Sequence, residues 1–222
     1  MAQLIVEFIG TFVLVFTVGM TVINPGGAGP LAPLAIGASL MVMIYAGGHI
    51  SGAHYNPAVS LAVLVRGGMK LRSMIEYWVA QLIGAGVAIA AVILLKDGRG
   101  PSAGSPDPVH ALVAEFIFTF ALCYVMLNVA TADETAGNSF YGLAIGFTVT
   151  VGAYAVGGIS GGVFNPAVAV GVVGMGIIPF ESIWIYLVAN LVAAVAAGAV
   201  FVLIHPRPLA GLVAGEPDAA AA

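Results

Sequence analysis

Apolar residues occur along this chain in six long runs that polar residues interrupt only briefly. The runs lie near Leu4–Ile23, Leu31–Ile50, Met74–Leu95, Val109–Ala130, Phe140–Gly158 and Phe180–Ile204. A helix needs about 20 apolar residues to cross the roughly 30 Å hydrocarbon layer of a bilayer. Each run is long enough, so the pattern predicts an all-α membrane protein with six transmembrane helices.

Two shorter apolar segments share the motif Asn-Pro-Ala after a glycine-bearing loop. They are GHISGAHYNPAVSLAVLV at 48–65 and GGISGGVFNPAVAVGVVG at 157–174. Proline suits the first position of a helix, because its missing N–H would have no intrahelical partner there. The motif therefore predicts helices over Pro57–Val65 and Pro166–Gly174, with Asn56 and Asn165 as their N-cap residues.

Each of these predicted helices has about nine residues, or roughly 14 Å of length, which is half a bilayer. An isolated half-span would expose unsatisfied backbone groups to lipid. Both helices must therefore be buried in protein or line a water-filled cavity.

The two motifs belong to a longer internal repeat. The two motifs are 109 residues apart, and Leu34–Gly37 recurs as Leu143–Gly146 at the same offset. Glu7–Phe12 recurs as Glu115–Phe120 at an offset of 108. Each half contains three spans, an odd number, so the second half enters the membrane inverted. Inverted repeats with broken helices in matching positions point to a permeation or binding site near the membrane midplane.

The repeat also predicts the domain organisation. The first copy covers about 1–96 and the second about 109–206, and together they form one channel domain over 1–208. The remaining residues, 209–222, contain Glu216, Pro217, Asp218 and several alanines. They are expected to form a short flexible C-terminal tail.

Charge is scarce in this chain and excludes several classes of protein. Only 7% of the 222 residues are charged, and no basic patch offers a nucleic-acid surface, so the lipid bilayer is the expected partner. A single cysteine, Cys123, excludes an intrachain disulfide, and no metal-ligand spacing is present. No catalytic constellation or phosphate-binding glycine loop occurs, so neither an enzyme nor a cofactor is expected.

The basic residues predict an orientation. Arg66, Lys70, Arg72 and Arg207 would face the side of the N-terminus, and Lys96 and Arg99 the other side. The positive-inside rule then favours a multi-pass protein of the cell inner membrane or plasma membrane with both termini in the cytoplasm.

Four polar residues near the motifs are candidates for function. Glu7 and Glu115 are carboxylates at equivalent places in apolar spans, where such groups are costly and can serve as proton relays. Alternatively, each accepts hydrogen bonds from the backbone of its own half's loop and is a structural buried carboxylate. His49 and His54 flank Ser51-Gly52-Ala53 just before Asn56. Either one of them faces the pore, with His49 as the pore-lining candidate, or both have ordinary structural roles, and the sequence leaves these two readings open.

With these features the sequence resembles the aquaporins of the major intrinsic protein family, as a bacterial-type member. The resemblance covers nearly the whole chain: six spans, two Asn-Pro-Ala loops and the glutamates of the first and fourth spans. It implies a right-handed bundle of six transmembrane helices with two re-entrant half-helices. It also implies a homotetramer with one pore per subunit, which carries water or small neutral solutes passively.

The resemblance assigns residues to the pore. Its centre would hold Asn56, Pro57, Ala58, Asn165, Pro166 and Ala167. Side-chain NH₂ groups there can donate to a passing oxygen, and the half-helix dipoles disfavour a cation. The carbonyl groups expected to line the pore belong to Gly52, Ala53, His54, Tyr55, Gly161, Gly162 and Val163.

One position departs from the family pattern. Typical members have an arginine three residues after the second asparagine, as part of a narrow outer filter, but this chain has Val168. Ungapped matching places the other filter positions at Ile36, Ala153 and Gly162, although a shift of one residue would replace Ala153 by Gly152 or Tyr154. The ring is then apolar, small and uncharged. Without the fixed cation and its donors, the opening should be wider and cation exclusion weaker.

The hypotheses that follow are of different classes. The first is a passive channel for larger neutral solutes such as polyols, urea, or undissociated metalloid and organo-arsenic acids. The second is a plain water channel, in which a ring shift or an ordered water narrows the pore. A proton-coupled transporter using Glu7 or Glu115 is a third, and a structural role at membrane junctions is a fourth.

Overall fold

Eight α-helices make up most of the computed structural model, which describes residues 1–24, 28–98, 100 and 104–205. They are α1 (Ala2–Val22), α2 (Ala32–Ser51), α3 (Pro57–Val65), α4 (Leu71–Leu95), α5 (Pro108–Thr131), α6 (Tyr141–Ser160), α7 (Pro166–Gly174) and α8 (Ile183–Ile204). Short 3₁₀ turns cover Gly29–Leu31, Asp133–Thr135 and Phe180–Ser182, and these described ranges contain no strand. The predicted tail 209–222 lies outside them, as do Arg99 and Arg207.

Six of these helices are long and apolar enough to cross a membrane, which confirms the predicted spans. Their outer faces carry exposed apolar side chains such as Ile83, Val113 and Val192, as expected for surfaces in contact with lipid. The helix ends differ from the prediction by up to three residues. The largest differences are that α4 begins at Leu71 and that α8 begins at Ile183, after a 3₁₀ turn.

The packing follows the internal repeat. Helix α1 packs on α2 and α4 in the first half, and α5 packs on α6 and α8 in the second. The two halves meet where α2 packs on α6. Each half-helix also packs on a long helix of the other half, α3 on α8 and α7 on α4, so the two halves interlock.

The α2–α6 contact depends on two glycines. A Cβ atom on Gly146 would lie 2.6 Å from the carbonyl oxygen of Gly37 and 2.7 Å from the Cβ of Met41. Small residues allow such close approach of helix backbones in membranes. The crossing brings the loops that follow α2 and α6 towards a common centre.

Candidate functional site

Both half-helices begin at the asparagine of their motif, as the sequence predicts. Asn56 and Asn165 have extended backbones, and their side-chain oxygens accept hydrogen bonds from the N–H groups of Ala58 (2.9 Å) and Ala167 (2.8 Å). These are N-cap interactions, and proline occupies the first helical position in each case. The helices before the loops end at Gly52 and Gly161, which have left-handed backbones with φ of 80° and 93°. Glycine adopts this conformation without steric cost.

The two asparagines also bind across the pseudo-symmetric interface. The Asn56 Nδ2 donates to the carbonyl oxygen of Phe164 at 3.0 Å, and the Asn165 Nδ2 donates to that of Tyr55 at 2.9 Å. Each amide therefore uses its oxygen to cap its own helix and one N–H to hold the opposite loop. A second N–H remains on each amide group, and both residues line the central cavity.

Glu7 fixes the first loop from α1. Its fully buried carboxylate accepts hydrogen bonds from the backbone N–H groups of His54 (2.9 Å) and Tyr55 (2.7 Å). The Ser51 hydroxyl at 2.7 Å and the Gln81 amide at 2.8 Å also donate to it. Such bonds satisfy backbone donors that would otherwise be buried without partners.

Glu115 holds the second loop in the same way from α5. It accepts from the backbone N–H groups of Val163 (2.9 Å) and Phe164 (2.7 Å), and from the Ser160 hydroxyl at 2.7 Å. Both carboxylates thus bind the loop of their own half.

The halves differ at one matched polar pair. Gln81 reaches Glu7, whereas Asn190, which is shorter by one methylene, accepts instead from the Thr119 hydroxyl at 2.8 Å. Both contacts join neighbouring helices, α4 to α1 and α8 to α5. In the described part of the chain, the Nδ2 of Asn190 and the Oγ1 of Thr11 are buried without a hydrogen-bond partner.

Sequence reasoning missed two residues of this support in each half. Tyr77 donates from its hydroxyl to the Ser51 carbonyl at 2.8 Å, and Tyr186 donates to the Ser160 carbonyl at 2.6 Å. Serine and tyrosine both recur at the offset of 109, so the repeat itself was the signal that could have identified them.

A cavity of about 800 Å³ runs beside both loops. All four residues of the expected filter ring, Ile36, Ala153, Gly162 and Val168, are among those that line it. A Cβ atom on Gly162 would lie 3.0 Å from the Cα of Ala153, so these two positions are in close contact. No lysine or arginine among the described residues lines the cavity.

Some expected pore residues lie elsewhere. Of the two histidines, His54 lines the cavity, whereas His49 is exposed near the end of α2 and does not. Ser51, two residues further on, turns inward to Glu7, and this places His49 on another face of α2. Gly52 and Tyr55 are also absent from the lining, because Gly52 caps α2 and the Tyr55 carbonyl is bound by Asn165.

The proline and alanine residues after each asparagine belong to the first turn of the half-helix and do not face the cavity. Pro57, Ala58, Pro166 and Ala167 are buried and do not line the cavity. The remaining expected positions, Ala53, Gly161 and Val163, do line it.

Six membrane-spanning helices, with two half-helices meeting at capped asparagines beside a cavity, are the architecture of a transmembrane channel. The family model for the major intrinsic proteins matches residues 1–201 and 140–218. The chain is 38% identical over 215 residues to "Aquaporin NIP1-1" of Zea mays, which covers 91% of this chain and 74% of that protein. It is 35% identical over 215 residues to "Nodulin-26" of Glycine max, with coverage of 91% and 78%.

The fold is similar to that of the aquaglyceroporin from Plasmodium falciparum. The two structures superimpose with a TM-score of 0.77 at 24% sequence identity. The match covers 90% of this chain and 94% of the aquaglyceroporin chain. The chain belongs to the major intrinsic protein family, the aquaporins. It is a multi-pass membrane channel and not an enzyme.

Proposed function

We propose that this channel passively conducts neutral solutes larger than water, in addition to water itself. The observation that carries the proposal is the composition of the ring Ile36, Ala153, Gly162 and Val168, which lines the cavity without a charged or bulky polar group. Polyols, urea and undissociated metalloid or organo-arsenic acids are solutes of suitable size and charge.

The effect of Val168 on the pore has two parts. Arginine carries a long side chain with a fixed positive charge and five N–H donors, whereas valine is short and apolar. The volume that an arginine side chain would fill at this ring is therefore open, and the positive charge that it would add is absent. Cation exclusion then depends mainly on the two half-helix dipoles, whose positive ends meet at Asn56 and Asn165.

The contacts of the buried glutamates support a passive mechanism. Glu7 and Glu115 are fully buried, and both oxygens of each carboxylate accept hydrogen bonds from the loops. Neither residue lines the cavity. We therefore assign both a scaffold role and no part in proton transfer.

We also propose the membrane arrangement. Residues 1–208 form a single channel domain in the cell inner membrane or plasma membrane, with both termini in the cytoplasm. The distribution of Arg66, Lys70 and Arg72 against Lys96 supports this orientation. Four copies would form a homotetramer with a pore in each subunit, as in the family that the chain belongs to.

The substitution Val168→Arg tests the role of the ring. In proteoliposomes, it should sharply reduce glycerol and urea flux while sparing much of the water flux. Val168→Leu is the control, because it changes volume without adding charge. Equal solute flux in the wild type and in Val168→Arg would show that Val168 does not set the size limit. A wild type that passes water and rejects glycerol would identify a plain water channel.

A further inference from the structure

We infer that the outer filter selects for hydrogen-bond donors. Among neutral solutes of equal size, those with N–H or O–H groups should pass, and those whose polar atoms only accept hydrogen bonds should be held back. This inference rests on the proposed function, because it concerns the same ring of Ile36, Ala153, Gly162 and Val168.

The backbone donors of the second loop are all used inside the protein. The Gly161 N–H donates to the Gly157 carbonyl at 2.9 Å, and the Gly162 N–H donates to the Ser160 hydroxyl at 3.2 Å. The N–H groups of Val163 and Phe164 donate to Glu115 at 2.9 and 2.7 Å. Four successive N–H groups are therefore unavailable to a solute in the cavity.

The carbonyl groups of the same loop are in the opposite situation. At its two ends, the Ser160 carbonyl accepts from Tyr186 and the Phe164 carbonyl accepts from Asn56. Between them, the carbonyl oxygens of Gly161, Gly162 and Val163 receive no hydrogen bond from the part of the chain that the structure describes. All three residues line the cavity, so the loop offers a solute acceptors only.

The side chains of the ring add no donor. Ile36, Ala153 and Val168 are hydrocarbons, and Gly162 has no side chain. Ser160 and Tyr186 also line the cavity, but the hydroxyl groups of both donate within the protein. In typical family members an arginine at the position of Val168 would supply the donors that are lacking here.

A solute that enters this ring loses water from its polar atoms. An N–H or O–H group can replace that water by donating to a loop carbonyl, but an acceptor oxygen finds no donor at the ring. A desolvated polar atom without a partner costs free energy. The ring should therefore reject acceptor-only solutes that fit it sterically, as sites built for hydrogen bonding reject analogues that lack the matching group.

Urea, acetamide and dimethyl sulfoxide test this inference, since they have the same number of non-hydrogen atoms. Urea carries two NH₂ groups, acetamide carries one, and dimethyl sulfoxide has an acceptor oxygen and no donor. Their flux is measured by stopped-flow light scattering on proteoliposomes, after subtraction of the flux into protein-free liposomes. Urea and acetamide should permeate about tenfold faster than dimethyl sulfoxide, or more.

The outcomes separate the two proposals. Protein-dependent flux of dimethyl sulfoxide equal to that of acetamide would overturn the inference and leave the proposed function standing. A wild type that passes water but none of the three solutes would contradict the proposed function, and the inference with it.

A pair of variants provides a second test. Val168→Thr nearly preserves the shape of the side chain and adds an O–H donor, whereas Val168→Ala widens the ring without one. The ratio of dimethyl sulfoxide flux to acetamide flux should rise several-fold in Val168→Thr and stay unchanged in Val168→Ala. An equal rise in both variants would show that size controls the ratio, and the inference would be wrong.

Discussion

Asn56 and Asn165 hold each other's loops in place. Each side chain caps its own half-helix and donates to the carbonyl group just before the other asparagine, over 3.0 and 2.9 Å. The positions of the two amide groups in the pore are therefore interdependent. Displacement of either half-helix breaks bonds in both halves.

Substitution of one asparagine should consequently destabilise the protein by more than the loss of a helix cap. Asn165→Ala removes the cap of α7, worth about 1 kcal/mol, and leaves the buried Tyr55 carbonyl without its donor, at about 1–3 kcal/mol. The free energy of unfolding in detergent measures the effect. Asn128→Ala is a control, because the Nδ2 of Asn128 donates to the Tyr124 carbonyl in the same helix and, among the described residues, to no other group. Equal losses in the two variants would contradict the cross-bonding account.

Glu7 and Glu115 should both be needed for stability, and Glu7 more so. A glutamine at either position replaces an acceptor oxygen with an NH₂ group that faces buried donors, at about 1–3 kcal/mol for each donor left unsatisfied. Glu7 accepts from Gln81 as well as from its loop, whereas Glu115 has no equivalent partner in Asn190. Glu7→Gln should therefore lower the thermal unfolding temperature further than Glu115→Gln. Wild-type stability in both variants would rule out the scaffold role.

The α2–α6 crossing should not tolerate a side chain at Gly146. An added Cβ would lie 2.6 Å from the Gly37 carbonyl oxygen, which is backbone and cannot move aside alone. Gly146→Ala is expected to cost about 1–3 kcal/mol. Gly86→Ala is the matched control, since a Cβ there meets no atom of the described residues within 4 Å, and alanine should stabilise that helix by up to about 1 kcal/mol. Thermal unfolding in detergent compares the two variants.

A larger side chain on α6 should narrow the cavity without disturbing the helix packing. Gly157 lines the cavity, and a Cβ atom there would meet nothing within 4 Å in the part of the chain that the structure describes. Gly157→Leu should therefore reduce glycerol flux while leaving the unfolding temperature close to that of the wild type. Gly86→Leu, on an exposed face of α4 outside the cavity, should leave the flux unchanged. Undiminished glycerol flux in Gly157→Leu would show that the conduction path does not run beside Gly157.

Much of the fold could be predicted because the sequence contains an internal repeat, so that each feature occurs in both halves. Apolar run length gives the six spans, and proline after asparagine fixes the starts of α3 and α7, whose predicted bounds match the structure. Helix ends at the membrane surface were less well predicted. Helix α4 begins at Leu71, before the apolar run proper, because polar residues such as Arg72 continue a helix into the interfacial region.

In the candidate site, only those residues that recur in both halves could be predicted from the sequence. The recurrence of Glu7 as Glu115 indicated matched scaffold positions, but the partners of Gln81 and Asn190 depend on a difference of one methylene in side-chain length. His49 and His54 are both adjacent to the motif, and only the direction in which Ser51 faces separates them. Such differences come from three-dimensional packing, which residue spacing does not encode.

Glycerol flux into proteoliposomes containing the wild-type protein decides whether this pore conducts larger neutral solutes passively. Passive conduction should give a glycerol flux well above that of protein-free liposomes. This flux should end when the internal and external concentrations are equal, with or without an imposed pH gradient. Water flux without glycerol flux would contradict a pore that admits larger neutral solutes. Accumulation of glycerol above the external concentration would contradict a passive channel.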